Sequence, residues 1–281
     1  MKTKIVVLLV VGIVAMFVAG CEKDDIIIDE NQNLIDDVLS DEDRPKPLGE
    51  YVPEDDQFFK ENVLDYENGP ETNILKSGDA MYNLISNAVS VWSIPNYAFR
   101  CYDNYKWGYR HVRQPDGYSC SWTSYVICTG NIAAVCGRTY PVTVNQVYVV
   151  KNGCGGSKLI TKLRDYANTV DRNIVKARTI SLQKSTTDCL AVFKQMMLLL
   201  YVNRAPFVTI AMSGRYTHYV TVYSIYWKKG VVGSKIYFTD SLDPDRGSFD
   251  KNVKYMDLWD FYCAMKNNSN SYYNFLELLP R

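Results

Sequence analysis

A change of hydrophobic period part-way along the chain limits the fold more than any other feature. From Cys120 onward, Trp122, Val126, Thr129, Ala133 and Cys136 recur at i, i+4, i+7, i+11 and i+14, the spacing of one helix face. Gly137 then suits a helix C-terminus. Asp188 to Tyr201 (DCLAVFKQMMLLLY) reads as a second, deeply buried helix capped by Thr187 or Asp188. Beyond Pro206 the period falls to that of strands. Pro206–Met212, His218–Trp227 and Ser234–Asp240 read as three strands, with Lys228-Lys229-Gly230 and Gly233 turning the second into the third.

The first helix begins in a notable place. Pro115-Asp116-Gly117 is a turn signal, so Cys120 falls on the first turn of the helix that follows. Unpaired N–H groups and the positive dipole end there favour a thiolate. A cysteine nucleophile also needs a base, a group to orient that base, and donors for the oxyanion. The chain has only two histidines, His111 and His218. His218 opens a strand, and the next strand ends on Asp240. A hairpin turn centred near Lys229 sets His218 opposite Asp240. A turn centred near Val231 sets it opposite Pro244 instead and makes Asp243 the nearer carboxylate. The first register is chosen, because Asp240 directly ends the Ile236–Phe238 alternation. His111 is a rival base, but its loop context offers no orienting partner.

Gln114, six residues before Cys120, the strand opening His218-Tyr-Val, and the strand ending at Asp240 together resemble the papain-like cysteine peptidases. Within that group the motif order is most similar to the peptidase domains of bacteriocin-processing exporters. The resemblance covers roughly residues 105–250. It implies an α+β, papain-like fold, with an N-terminal helical part carrying the nucleophile packed on an antiparallel sheet carrying histidine and aspartate. It gives Cys120 the role of nucleophile, His218 of base, Asp240 of orienting carboxylate and Gln114 of oxyanion donor. It implies a peptide or protein substrate. The sequence departs from the pattern in two places. Ser121-Trp122 follows the cysteine, and the expected aspartate–proline pair is split between Asp240-Ser241 and Asp243-Pro244.

The N-terminus addresses the chain to an envelope. Lys2 and Lys4 precede an unbroken apolar run from Ile5 to Ala19, a signal-peptide pattern too short for a retained transmembrane helix. The run closes on Val18-Ala19-Gly20-Cys21, which resembles the bacterial lipobox. That resemblance implies cleavage after residue 20 and a lipid anchor on Cys21. The acidic Glu22-Lys23-Asp24-Asp25 looks like the surface-export signal of some outer-membrane lipoproteins. The expected location is therefore the outer membrane, exposed at the cell surface, or otherwise its periplasmic face. Between Glu22 and Asp56, 14 acidic residues stand against 3 basic ones, with no helix or strand period. Residues 21–56 thus read as a flexible tether.

Residues 57–104 read as an N-terminal segment or pro-segment, with a helical pattern over Asp79–Trp92 that Pro95 ends. Residues 105–281 form the peptidase domain. The body after the tether is basic, but it shows no tight Lys/Arg cluster and no nucleic-acid motif, so no nucleic-acid partner is expected.

With Cys21 and Cys120 set aside, Cys101, Cys128, Cys136, Cys154, Cys189 and Cys263 remain. Six thiols could close three disulfides in an exported protein or serve as buried small hydrophobes. There is no C-x-x-C pair and histidine is scarce, so no metal site is expected. No cofactor is expected either. Three functions compete: a peptidase, a papain-like domain that binds peptide or glycan without cutting, and a transglutaminase-like acyl transferase.

Overall fold

A computed structural model of the chain describes residues 80–88, 94, 96–101, 108–154, 159–211, 218–229 and 231–281. The signal segment 1–20, Cys21 and the tether 21–56 lie outside the described residues, as does most of the 57–104 segment.

The helices are α1 (Ala80–Asn87), α2 (Cys120–Val135), α3 (Val144–Cys154), α4 (Leu159–Thr169), α5 (Cys189–Asn203), α6 (Phe249–Asn252) and α7 (Leu258–Asn267). The strands are β1 (Tyr97–Arg100), β2 (Val175–Gln183), β3 (Phe207–Ile210), β4 (Tyr219–Trp227), β5 (Lys235–Asp240), β6 (Val253–Asp257) and β7 (Tyr272–Pro280). The three strands and two long helices expected from the hydrophobic period are all present, each within a few residues of its expected bounds. The α5 cap is Asp188, whose carboxylate accepts from the Ala191 N–H at 2.9 Å.

All strands join one antiparallel sheet in the order β2-β7-β3-β4-β5-β6. β3 pairs with the first half of β4 and β1 with its second half, so these two short strands share one edge of β4. Every residue of β4 is buried. The reason is that both faces of the sheet are covered. Tyr219, Tyr223 and Tyr226 pack with residues of α2, α3 and α4, while Val220, Val222, Ile225 and Trp227 pack with residues of α1, α5 and α7. A central strand of a sheet covered on both sides reads as a continuous apolar run, which is what HYVTVYSIYW is. The layout is α+β, with a helix bearing Cys120 against an antiparallel sheet bearing His218 and Asp240.

The β4–β5 register differs from the expected one. Val220, not His218, lies opposite Asp240. In the outer half of the hairpin, Ser224 faces Tyr237 and Ile225 faces Ile236, and Tyr223 is an extra residue between the two registers. This bulge decides which face Asp240 occupies. Without it the outer register would run on and set Asp240 opposite Thr221, on the face away from His218. With it, Asp240 lies opposite Val220 and therefore on the same face as His218, two residues along. The expected pairing was off by two positions, and a slip of two preserves the face. The Ala211 N–H donates to the His218 carbonyl at 3.0 Å, which carries the β3–β4 ladder out to the histidine.

The structure also overturns the disulfide option. No disulfide is formed among the seven described cysteines, Cys101, Cys120, Cys128, Cys136, Cys154, Cys189 and Cys263. All but the exposed Cys136 are buried or half-buried, as expected of small hydrophobes.

Candidate active site

Cys120 is the first residue of α2 and is buried. Ser119 precedes it as N-cap, with its carbonyl taking both the N–H and the hydroxyl of Thr123, at 2.9 and 2.7 Å. One turn on, α2 is pinned to the strand that follows His218. The Ser124 hydroxyl donates to the Tyr219 carbonyl at 2.9 Å, and the Thr221 hydroxyl donates to the Ser124 carbonyl at 3.1 Å. Two reciprocal bonds thus fix the thiol end of the helix against the histidine end of β4.

His218 is buried, and its Nε2 lies 2.6 Å from Asp240 Oδ1. That contact leaves Nδ1 as the remaining ring nitrogen, and the Cys120 side chain lies within hydrogen-bond reach of the imidazole. Asp240 Oδ1 also accepts from the Leu242 N–H at 2.9 Å. Burial opposes the charge on His218, but the Asp240 carboxylate and the Cys120 sulfur outweigh it and push the imidazole up to about 10. Burial likewise opposes the charge on Asp240. His218, Lys254 and the Leu242 N–H overcome it and hold the carboxyl well below the usual range.

Of the two carboxylates left open by the sequence, Asp240 meets His218. Asp243 is engaged elsewhere: its Oδ2 is 2.5 Å from Lys254 Nζ. His111, the rival base, is also buried, and its Nε2 bonds the Asp243 carbonyl at 3.1 Å. Burial lowers its pKa, and its Nδ1 has no partner.

Gln114 lies along the segment that follows Asp240. Its N–H donates to the Ser241 carbonyl at 2.7 Å, and its Oε1 accepts from the Ser241 hydroxyl at 2.7 Å. Nε2 donates to the Asp116 carbonyl at 2.6 Å, which leaves its second hydrogen free. Asp116 Oδ1 in turn accepts from the Tyr118 N–H and the Ser119 hydroxyl, bracing the loop that enters α2.

The structure therefore gathers Cys120, His218 and Asp240, and ties Gln114 to the residue next to Asp240. Sequence reasoning missed three supports: Ser124, Ser241 and Lys254. A serine inside a helix or just past a strand, or a lysine within one, carries no periodic signal, so nothing in the sequence marks them.

Fold and site define an α+β domain with a buried cysteine–histidine–aspartate cluster at the junction of a helix and an antiparallel sheet. No family model matches the chain, and no curated protein matches it. Among solved structures, UfSP from C. elegans is similar at a TM-score of 0.45 with 13% sequence identity. The match covers 72% of this chain and 37% of that one, so the chain spans well under half of its neighbour's length.

Proposed function

We propose that the chain is a papain-like cysteine peptidase, nearest in motif order to the peptidase domains of bacteriocin-processing exporters. The observation that carries this reading is the pair of contacts made by one imidazole. A buried imidazole spends Nε2 on a carboxylate and turns its other nitrogen to a cysteine at a helix N-terminus.

The chemistry follows from that arrangement. His218 takes the proton of Cys120, and Asp240 supports the imidazolium that forms. The thiolate attacks a peptide carbonyl carbon, and the carbonyl oxygen becomes an oxyanion. The Cys120 N–H and the free Gln114 Nε2 hydrogen receive that charge. On collapse, His218 gives its proton to the leaving amine. Water, deprotonated by His218, then attacks the thioester and releases the acid, restoring the thiol.

The test is labelling and turnover together. Wild-type protein is expected to be labelled by an epoxide thiol probe at Cys120 and to hydrolyse peptides, and Cys120→Ala to lose both. Full peptide hydrolysis by Cys120→Ala would sink the assignment. Ammonia release with amine incorporation would place the protein among acyl transferases instead.

We further propose that the chain is exported and anchored through a lipid on Cys21, in the outer membrane and facing the cell surface. Radiolabelled palmitate entering the wild type but not Cys21→Ala tests the anchor. Protease accessibility in intact cells tests the side.

A further inference from the structure

The bulge has a second effect on the sheet face that bears His218. On β6, Lys254 lies opposite Phe238, two residues before Asp240 on β5. His218, Asp240 and Lys254 therefore share one face across β4, β5 and β6. The Lys254 side chain is only 17% exposed, with Nζ 4.0 Å from Asp240 Oδ2 and 2.5 Å from Asp243 Oδ2. Ahead of the row stands the Cys120 sulfur. With the thiol ionised, the charges alternate in sign from Cys120 through His218, Asp240 and Lys254 to Asp243. Alternation offsets the cost of burying each one.

The Asp243 N–H donates to the Asp240 carbonyl at 3.1 Å, so the two carboxylates leave one tight turn. Asp240 presents Oδ1 to His218 and Leu242, and Oδ2 toward Lys254. Lys254 is thus the one described group that meets both carboxylates. It touches neither thiol nor imidazole.

We propose that Lys254 is a positioning residue, which holds Asp243 aside and, through its charge beside Asp240, sets how strongly that carboxylate holds the imidazolium of His218. The proposal rests on the peptidase reading of the site but is read out without catalysis. The charged groups facing His218 are Cys120 and Asp240, and those facing Lys254 are Asp240 and Asp243. His111 bonds only the backbone of Asp243.

The two ends of the row give opposite signs. Removing Lys254 takes a positive charge from beside Asp240 and frees an anion, so the imidazolium of His218 is favoured. Removing the charge of Asp243 releases the ammonium onto Asp240, where it competes with His218, so the imidazolium is disfavoured. Screened coupling at this range amounts to about half to one pH unit in each case.

The experiment uses the full chain labelled with isotope in histidine. There are only two histidines, and the signal lost in His218→Gln identifies His218. Lys254→Met is expected to raise the His218 titration midpoint, Asp243→Asn to lower it, and Lys254→Arg to return it to within about 0.2 units of wild type. Loosening of the site by a merely structural change would move both variants the same way, toward an ordinary imidazole. Equal signs, or no movement in Lys254→Met with native near-ultraviolet circular dichroism, would overturn the proposal. If Lys254→Met does not fold, the sign in Asp243→Asn decides alone, and a rise or no change overturns it. Absence of probe labelling in the wild type would overturn the peptidase reading and leave this result intact.

Discussion

Replacing Asp240 by asparagine keeps the shape of the site and removes one charge. The contact it alters is short, 2.6 Å from His218 Nε2, and both side chains are buried. Unit charges about 4 Å apart in a medium of effective dielectric about 20 interact by about 4 kcal/mol. That is worth roughly three pH units, the same direction and size as the rise of His218 from 6.5 to about 10. Without the carboxylate, burial is opposed only by the Cys120 sulfur, and the imidazole pKa falls. The imidazolium that would support a Cys120 thiolate is then lost at neutral pH. Alkylation of Cys120 by iodoacetamide reads the thiolate directly, and needs no substrate. Peptide mapping by mass spectrometry separates it from the exposed Cys136. At pH 7 the rate in Asp240→Asn is expected to fall about thirtyfold, the shortfall of an ordinary free thiol from full ionisation. A rate within threefold of wild type at pH 7, with native near-ultraviolet circular dichroism, would refute the reasoning.

Three further outcomes follow from the same geometry. Gln114→Ala removes an amide donor but leaves the thiol and its base, so kcat is expected to fall about 10²–10³-fold while alkylation of Cys120 stays near wild type. Ser124→Ala breaks one of the two bonds between α2 and β4; a loss of about 1 kcal/mol in urea unfolding, with slower alkylation of Cys120, is the expected pair of results. Stability depends on pH through the two partners in opposite senses. The raised pKa of His218 gives stability that is full below about 6.5 and lost as pH climbs through about 10. The lowered pKa of Asp240 gives stability that is present above the ordinary carboxylate value and lost as pH falls below it. Urea midpoints are therefore expected to decline from pH 6.5 toward pH 10, and Asp240→Asn to flatten that decline.

Much of the sheet could be read from the chain because its central strands are long and carry turn residues at their ends. The helix from Cys120 was legible for the same reason. β2 and β7 were not. They pair along their whole lengths, Val175 with Pro280 through Gln183 with Tyr272, yet lie about a hundred residues apart, and no local pattern announces a distant partner. In the site, the neighbourhood of Cys120, His218 and Asp240 was legible because each sits at the end of a periodic element. The choice between Asp240 and Asp243 was decided by a bulge at Tyr223 and an ammonium from β6. Counting residues along an ideal hairpin sees neither. Ser124 and Ser241 act by single hydrogen bonds to backbone or amide atoms, a role any serine could have.

The bulge at Tyr223 sets a rule for how this hairpin can change length. Between Tyr223 and the turn, the two arms only need to stay paired, so the loop between Trp227 and Lys235 is free to grow or shrink. Between His218 and Tyr223 on one arm, and between Tyr237 and Asp240 on the other, the count is fixed modulo two. One residue added or lost there turns the carboxylate to the far side of the sheet, however well the strands still pair. Two residues added together leave it on the right side but displaced by about 7 Å along the strand. Variation in length among chains built this way therefore belongs at the tip of the hairpin, and constancy at its base.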